Sequence, residues 1–216
     1  MALPFLPYIV VGIVHLIAVL AGADALVALT KPLLMPALLL ALLLALPVRR
    51  GETALLAGLG ILFGWLGDLS LMDVGPGFVI GLAFFLLGHL AYIVLFWRRL
   101  RVRRPRWWSA VYVLWYAGLL AVLAPHAGGM LVPLALYGLT LAVLGITASA
   151  CSPWIATGAA LFVVSDSLLG LDRFLPGFAL TQADAAIMLT YILAQGIICW
   201  GVVRRARAVA RVPSLA

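Results

Sequence analysis

Asp166 lies inside the apolar run Leu161-Phe-Val-Val-Ser-Asp-Ser-Leu-Leu-Gly-Leu-Asp-Arg-Phe174, and Asp68 lies near the end of a second such run, Gly64-Trp-Leu-Gly-Asp-Leu-Ser-Leu71. An ionised Asp at the centre of a membrane-spanning helix costs at least ~2.5–3.5 kcal/mol even on insertion scales, so it occurs there with a partner or a task. Two carboxyl groups sharing a site of low dielectric do not both ionise easily. One then holds a proton while the other is charged, which provides a general acid and a general base together near neutral pH.

Other polar side chains in apolar runs are candidates to surround the pair. His89 and Tyr92 are three apart on one face of a helix, and Tyr191 and Gln195 are four apart on another. They are expected to orient water or the carboxyl groups. Lys31 and Arg173 stand at the edges of apolar runs, where a cation is suited to holding a phosphate. An acid–base pair below a phosphate site is an arrangement suited to cleaving a phospholipid at the membrane surface. His15 stands alone in its run and is expected to make an interhelical hydrogen bond.

Several chemistries are excluded by what is absent. No HExxH, GxSxG, Walker loop or His/Cys cluster occurs, so a zinc hydrolase, a serine esterase of the usual kind and a nucleotide enzyme are not expected. Ser165 beside Asp166, with His89 elsewhere, lacks the spacing of a catalytic triad. Gly58-Leu-Gly-Ile-Leu-Phe-Gly64 misses the dinucleotide fingerprint by one residue and sits in an apolar helix. Cys151 and Cys199 form neither a CxxC pair nor a metal spacing and read as packing residues. No metal and no cofactor is called for.

The elements that must position these groups are transmembrane helices. Hydrophobic residues make up 66% of the 216 positions and charged residues 10%, with a mean hydropathy of +1.23. That leaves too little polar surface to cover a soluble globule. A segment isolated in lipid must satisfy its own backbone hydrogen bonds, which requires helices, each about 20 residues long to cross a core ~30 Å thick. Eight runs fit, approximately Pro7 to Ala23, Leu33 to Val48, Thr53 to Met72, Phe78 to Trp97, Trp107 to Ala124, Met130 to Ala148, Pro153 to Leu171 and Ala183 to Val203. The expected fold is all-α, a polytopic bundle of eight transmembrane helices making one membrane domain over residues 1–216. With no Lys or Arg before Lys31, the first run reads as a span rather than a cleaved signal peptide.

Orientation follows from the basic residues. Arg49 and Arg50, then Arg98, Arg99, Arg101, Arg103, Arg104 and Arg106, then Arg204, Arg205, Arg207 and Arg211 all fall on one side of this map. The positive-inside rule makes that side, and with it both termini, cytoplasmic. The net charge of +7 is therefore a topology signal with anionic lipid contact, not a nucleic-acid surface. Asp24, Asp68, Asp73, Asp166, Asp172 and Asp184 fall on the outer side with Lys31 and Arg173, which predicts a site opening towards the non-cytoplasmic half. Small residues such as Gly60, Gly64, Gly67, Gly81 and Gly88 are expected at close helix contacts.

A short internal likeness suggests two parallel four-helix repeats. Gly67-Asp-Leu-Ser-Leu-Met-Asp73 aligns with Ser165-Asp-Ser-Leu-Leu-Gly-Leu-Asp172, and His89-Leu-Ala-Tyr-Ile93 follows against Met188-Leu-Thr-Tyr-Ile192. Four spans separate the copies, so both insert in one direction about an axis along the membrane normal. Asp68 and Asp166 would then face each other.

Thr30-Lys-Pro-Leu-Leu-Met-Pro36, Gly67-Asp68, Gly88-His-Leu-Ala-Tyr92, the Ser165 to Phe174 run and Tyr191-Ile-Leu-Ala-Gln195 together resemble the YhhN-like family of integral-membrane lysoplasmalogenases. The resemblance runs from Lys31 to Gln195 and includes the eight-span organisation. It implies an ether hydrolase that cleaves the vinyl ether bond of lysoplasmalogens, giving a fatty aldehyde and a glycerophospho-choline or -ethanolamine. Such bonds hydrolyse by protonation of the β-carbon to an oxocarbenium ion that water captures, which needs a positioned acid and a nearby negative charge. Asp68 and Asp166 are expected to share these roles. Lys31 and Arg173 would hold the head group, with His89, Tyr92, Tyr191 and Gln195 around them. The expected partners are a lysophospholipid substrate and membrane lipids, and the Ala, Leu and Arg richness with compact loops points to a bacterial cytoplasmic membrane.

Two readings from other classes stay open on the sequence. Asp68 and Asp166 could carry protons in a small proton-coupled transporter, which broken helices at matching positions would favour. A non-catalytic lipid-binding protein would instead use Lys31 to neutralise one of the aspartates across a filled cavity.

Overall fold

In the computed structural model, which describes residues 2–72 and 77–210, the chain is helical almost throughout. The helices are α1 (Leu6–Leu20), α2 (Asp24–Ala45), α3 (Glu52–Leu71), α4 (Gly77–Leu95), α5 (Val111–Ala127), α6 (Leu131–Ser149), α7 (Pro153–Phe174) and α8 (Ala183–Ala210). Seven helical stretches among the described residues are long and apolar enough to cross a membrane. One of them, Trp107–Ser149, contains 43 residues and includes both α5 and α6. At 1.5 Å per residue a straight helix of that length would be about twice the hydrocarbon thickness. It is not straight. Gly128 (φ 51°) breaks it, and α6 folds back so that Gly138 lies against the ring of Tyr116 and Gly145 against that of Tyr112.

Glycines set the closest helix approaches. A Cβ on Gly60 would come within 2.4 Å of the Tyr92 ring, and one on Gly88 within 3.1 Å of the Gly60 carbonyl, so α3 and α4 meet backbone to backbone. α7 and α8 meet likewise at Gly158, where a Cβ would stand 3.0 Å from the Ala194 carbonyl. Without a hydrophobic drive between helices in lipid, such contacts carry the packing through dispersion. The packing order of the first four helices, each on the next, recurs in the second four, and α2 against α8 is matched by α6 against α4. Buried side chains from all eight helices join in one apolar cluster.

The second helix departs from the expected span. It begins at Asp24 rather than near Leu33, so Lys31 stands two turns inside it, and both Pro32 and Pro36 are within the helix. A proline has no N–H to give the carbonyl four residues earlier, and Pro36 thereby strands the Pro32 carbonyl. Trp65 of α3 supplies the missing donor, its indole Nε1–H reaching that oxygen at 2.8 Å. The helix therefore continues across a residue that usually ends one, and Lys31 is carried inward. Elsewhere the observed ends lie within a few residues of the expected ones, apart from α8, which continues to Ala210. Asp73 and Arg211 lie outside the described residues.

Candidate functional site

Asp68 is near the end of α3 and Asp166 is in the second half of α7, and both side chains border one cavity of about 580 Å³. That volume is in the ~300–1,000 Å³ range of small-molecule sites. Ends of six helices shape it: the end of α1, the start of α2, the end of α3, the start of α4, the end of α7 and the start of α8. Asp68 is 3% exposed and the Asp166 side chain 9%, so neither is a surface group.

Each carboxyl group receives a phenol. Tyr191 of α8 donates its O–H to Asp68 Oδ2 at 2.9 Å, and Tyr137 of α6 donates to Asp166 Oδ2 at 2.5 Å. Hydrogen bonds to a carboxyl are stronger than neutral pairs when it is ionised, and here they fix its orientation as well. His89 of α4 also faces Asp166, with Nε2 3.9 Å from Oδ2. Its ring packs edge-on to Phe162 at 4.6 Å, and neither ring nitrogen has a hydrogen-bond partner among the described residues. The two carboxyl groups therefore have different surroundings although they occupy like positions on α3 and α7.

Lys31, Arg173 and Tyr191 border the same cavity. Lys31 forms no ion pair with Asp68 or Asp166 within 4.0 Å among the described residues, so no Lys–Asp bridge fills the space. The Arg173 guanidinium lies over the Phe78 ring, 5.4 Å from its centroid, at the outer end. Asp24 at the start of α2, Asp172 in the last turn of α7 and Asp184 at the start of α8 border the cavity as well.

Tyr92 and Gln195 are behind the cavity wall instead. Tyr92 donates its O–H to Gln195 Oε1 at 2.7 Å, joining α4 to α8. Gly64 leaves the room for this arrangement, because a Cβ there would come within 2.9 Å of Gln195 Nε2 and 3.2 Å of the Tyr191 hydroxyl. These residues brace Tyr191 rather than face the opening. Their sequence-based assignment as groups bordering a pocket is corrected to that extent.

Two further residues carry more than their place in the sequence suggests. The sequence does not single out Tyr137, whose signal is only a phenol in the middle of an apolar run, a property it shares with Tyr92 and Tyr191. His15 does make the expected interhelical bond, Nδ1 to Thr30 Oγ1 at 2.8 Å. The Thr30 hydroxyl spends its one hydrogen on the Leu26 carbonyl at 2.7 Å, so His15 Nδ1 must be the donor. In the neutral imidazole this leaves Nε2 as a bare acceptor. That atom is buried and unpartnered, on a residue bordering the cavity.

Asp166 also borders a second, smaller hollow of about 40 Å³ between α5, α6 and α7, lined by Leu120, Leu123, Leu134, Leu141 and Gly170 with Tyr137 at its inner side. Among the described residues no group of three His, Cys, Asp or Glu side chains is arranged as a metal site.

Chemically, the arrangement offers two buried carboxyl groups with phenol donors, an unpaired imidazole acceptor, and a rim of mixed charge. A proton donor and a compensating negative charge are thus available at one cavity. No curated protein and no solved structure matches the chain. The model of the YhhN family matches residues 26–202, a stretch that takes in every cavity residue named above except His15 and Asp24. The long apolar helices are those of an integral membrane protein, and the chain belongs to the YhhN family.

Proposed function

We propose that this protein is a lysoplasmalogenase-type ether hydrolase, cleaving the vinyl ether bond of a lysoplasmalogen to a fatty aldehyde and a glycerophospho-base. The observation that carries the reading is the convergence of Asp68 and Asp166, from helices nearly one hundred residues apart, on one cavity. Membership of a family known for lysoplasmalogenase activity supports it.

The reaction divides between the two groups. One carboxylic acid transfers its proton to the β-carbon of the vinyl ether, and the ether oxygen shares its lone pair with the α-carbon to form an oxocarbenium ion. The second carboxyl group, ionised, stabilises that cation. Water adds to the α-carbon and gives up a proton to the first carboxylate, restoring the acid. The hemiacetal then breaks its bond to the glycerol oxygen, releasing aldehyde and alcohol. Tyr137 and Tyr191 keep the carboxyl groups in register. Arg173 at the rim and Lys31, two turns further in, meet the phosphate, while Asp24, Asp172 and Asp184 suit the ammonium of choline or ethanolamine.

The same proposal includes a topology. The Trp107–Ser149 stretch counts as two crossings because it doubles back at Gly128, giving eight in one domain. The arginines after α2, after α4 and in the last turns of α8 gather at the end opposite the cavity, which by the positive-inside rule is cytoplasmic along with both termini. The cavity then opens on the outer half of a bacterial cytoplasmic membrane. Two parallel four-helix repeats account for the like positions of Asp68 and Asp166.

The test is aldehyde release, measured by mass spectrometry, from purified protein given lysoplasmalogen or the corresponding ester lysophospholipid. Wild type is expected to cleave the vinyl ether and leave the ester intact. Asp68→Asn and Asp166→Asn are each expected to lose at least ~100-fold in kcat, the scale of one positioned acid or base. Wild-type turnover in both folded variants would remove the mechanism.

A further inference from the structure

At the end of the bundle opposite the catalytic cavity is a second cavity of about 440 Å³, bordered by the turn after α2, the start of α3, the end of α4 and the end of α8. Three arginines face it, Arg50, Arg99 and Arg205, against a single carboxylate, Glu52. That carboxylate is already committed. Arg98 Nε donates to Glu52 Oε1 at 2.7 Å and Arg99 Nε to Oε2 at 2.6 Å. Arg50 and Arg205 therefore leave positive charge in the cavity that Glu52 does not neutralise.

Arg205 carries the stronger sign. Its Nε–H is buried and has no hydrogen-bond partner among the described residues. A buried donor of a charged group left unmade is costly, so a small rotation of the guanidinium that brings its fork to an acceptor in the cavity is favoured. The start of α3 adds further donors. Gly51 caps the helix without a side-chain bond, and the first intrahelical acceptor is used by Leu55 N–H. The Glu52, Thr53 and Ala54 N–H groups thus have no helical acceptor, and the helix dipole adds to the positive field there. Leu46, Val48 and Val209 complete the lining with apolar surface.

We propose that this cavity is a binding site for a phosphate oxyanion, held by Arg50 and Arg205 with the first turn of α3 and separate from the catalytic cavity. Arginine forks and helix N-termini both match phosphate geometry, and the apolar wall suits the glycerol and upper chain of a lipid that bears it. The phosphate belongs either to an anionic phospholipid head group or to a small soluble phosphate.

The test uses the full-length protein in nanodiscs and in detergent. Native mass spectrometry follows retention of phosphatidylglycerol against phosphatidylcholine, and thermal melting in detergent is followed with added inorganic phosphate or glycerol 3-phosphate. Phosphatidylglycerol retained over phosphatidylcholine assigns the site to a lipid head group. Stabilisation by the soluble phosphates without lipid preference assigns it to a soluble ligand. In either case Arg205→Gln is expected to weaken binding roughly tenfold, as for the loss of a charge-assisted contact, with aldehyde release unchanged. Arg50→Gln provides the second variant should Arg205→Gln fold poorly. Wild type that retains neither ligand, or variants that bind as tightly as wild type, would overturn the site.

Discussion

Tyr137→Phe is the sharpest perturbation of the proposed catalytic pair. It removes one oxygen atom and keeps the ring, so the packing against His89, with centroids 5.4 Å apart, is retained. What is lost is the O–H donated to Asp166 Oδ2 at 2.5 Å. Hydrogen bonds to charged groups are worth about 1.5–3 kcal/mol, which converts to roughly 10- to 150-fold in rate if the bond is needed most when Asp166 is charged beside the cation. The effect should fall on kcat, because Tyr137 is 6% exposed and lies behind Asp166, outside the lining of the larger cavity proposed to take the head group. Tyr191→Phe, which loses the longer 2.9 Å bond to Asp68, is expected to show a smaller defect. Stopped assays of aldehyde release at saturating lysoplasmalogen measure both, with thermal melting as the control for folding. A folded Tyr137→Phe with wild-type kcat would refute the claim that this phenol supports the chemistry.

Other expectations follow from the same geometry. Lys31→Ala should raise KM more than it lowers kcat, because a phosphate contact is made equally in the ground and transition states; a pure kcat defect in steady-state kinetics would count against it. Gly158→Ala places a Cβ 2.7 Å from Ile198 Cγ1 and 3.0 Å from the Ala194 carbonyl. It should destabilise by about 1–3 kcal/mol, whereas Gly118→Ala, with nothing within 4 Å, should not; melting curves in detergent compare the two. A reporter fused after Ala216 should be active only when cytoplasmic, and an extracytoplasmic signal would reverse the topology.

Much of this architecture is legible in the residues. The periodic recurrence of long apolar runs gives the all-helical bundle, because lipid permits an isolated segment nothing else. The cost of a buried carboxylate picks out Asp68 and Asp166 without any knowledge of the fold. The beginning of α2 is not legible, since Pro32 and Pro36 argue for a break, and the Trp65 bond that sustains the helix comes from another segment. Tyr137 is hidden for a similar reason. Nothing near it in the chain is ionisable, and its partner is 29 residues away. The spare nitrogen of His15 depends on where a single threonine hydrogen goes, a detail fixed only by the Leu26 carbonyl one helical turn earlier.

Asp166 borders both the charged cavity and the leucine-lined hollow between α5, α6 and α7. Cleavage beside it would produce two fragments of opposite solubility, an oily aldehyde and a water-soluble base, at a junction with one wet side and one greasy side. The hollow, at about 40 Å³, is too small to hold the chain, so an aldehyde leaving that way would have to part the helices around it, while the base leaves through the charged cavity. Turnover in nanodiscs should accordingly leave the aldehyde in the bilayer and the base in the buffer, while Gly170→Phe, which plugs the greasy side, should trap the aldehyde and slow successive cycles more than the first.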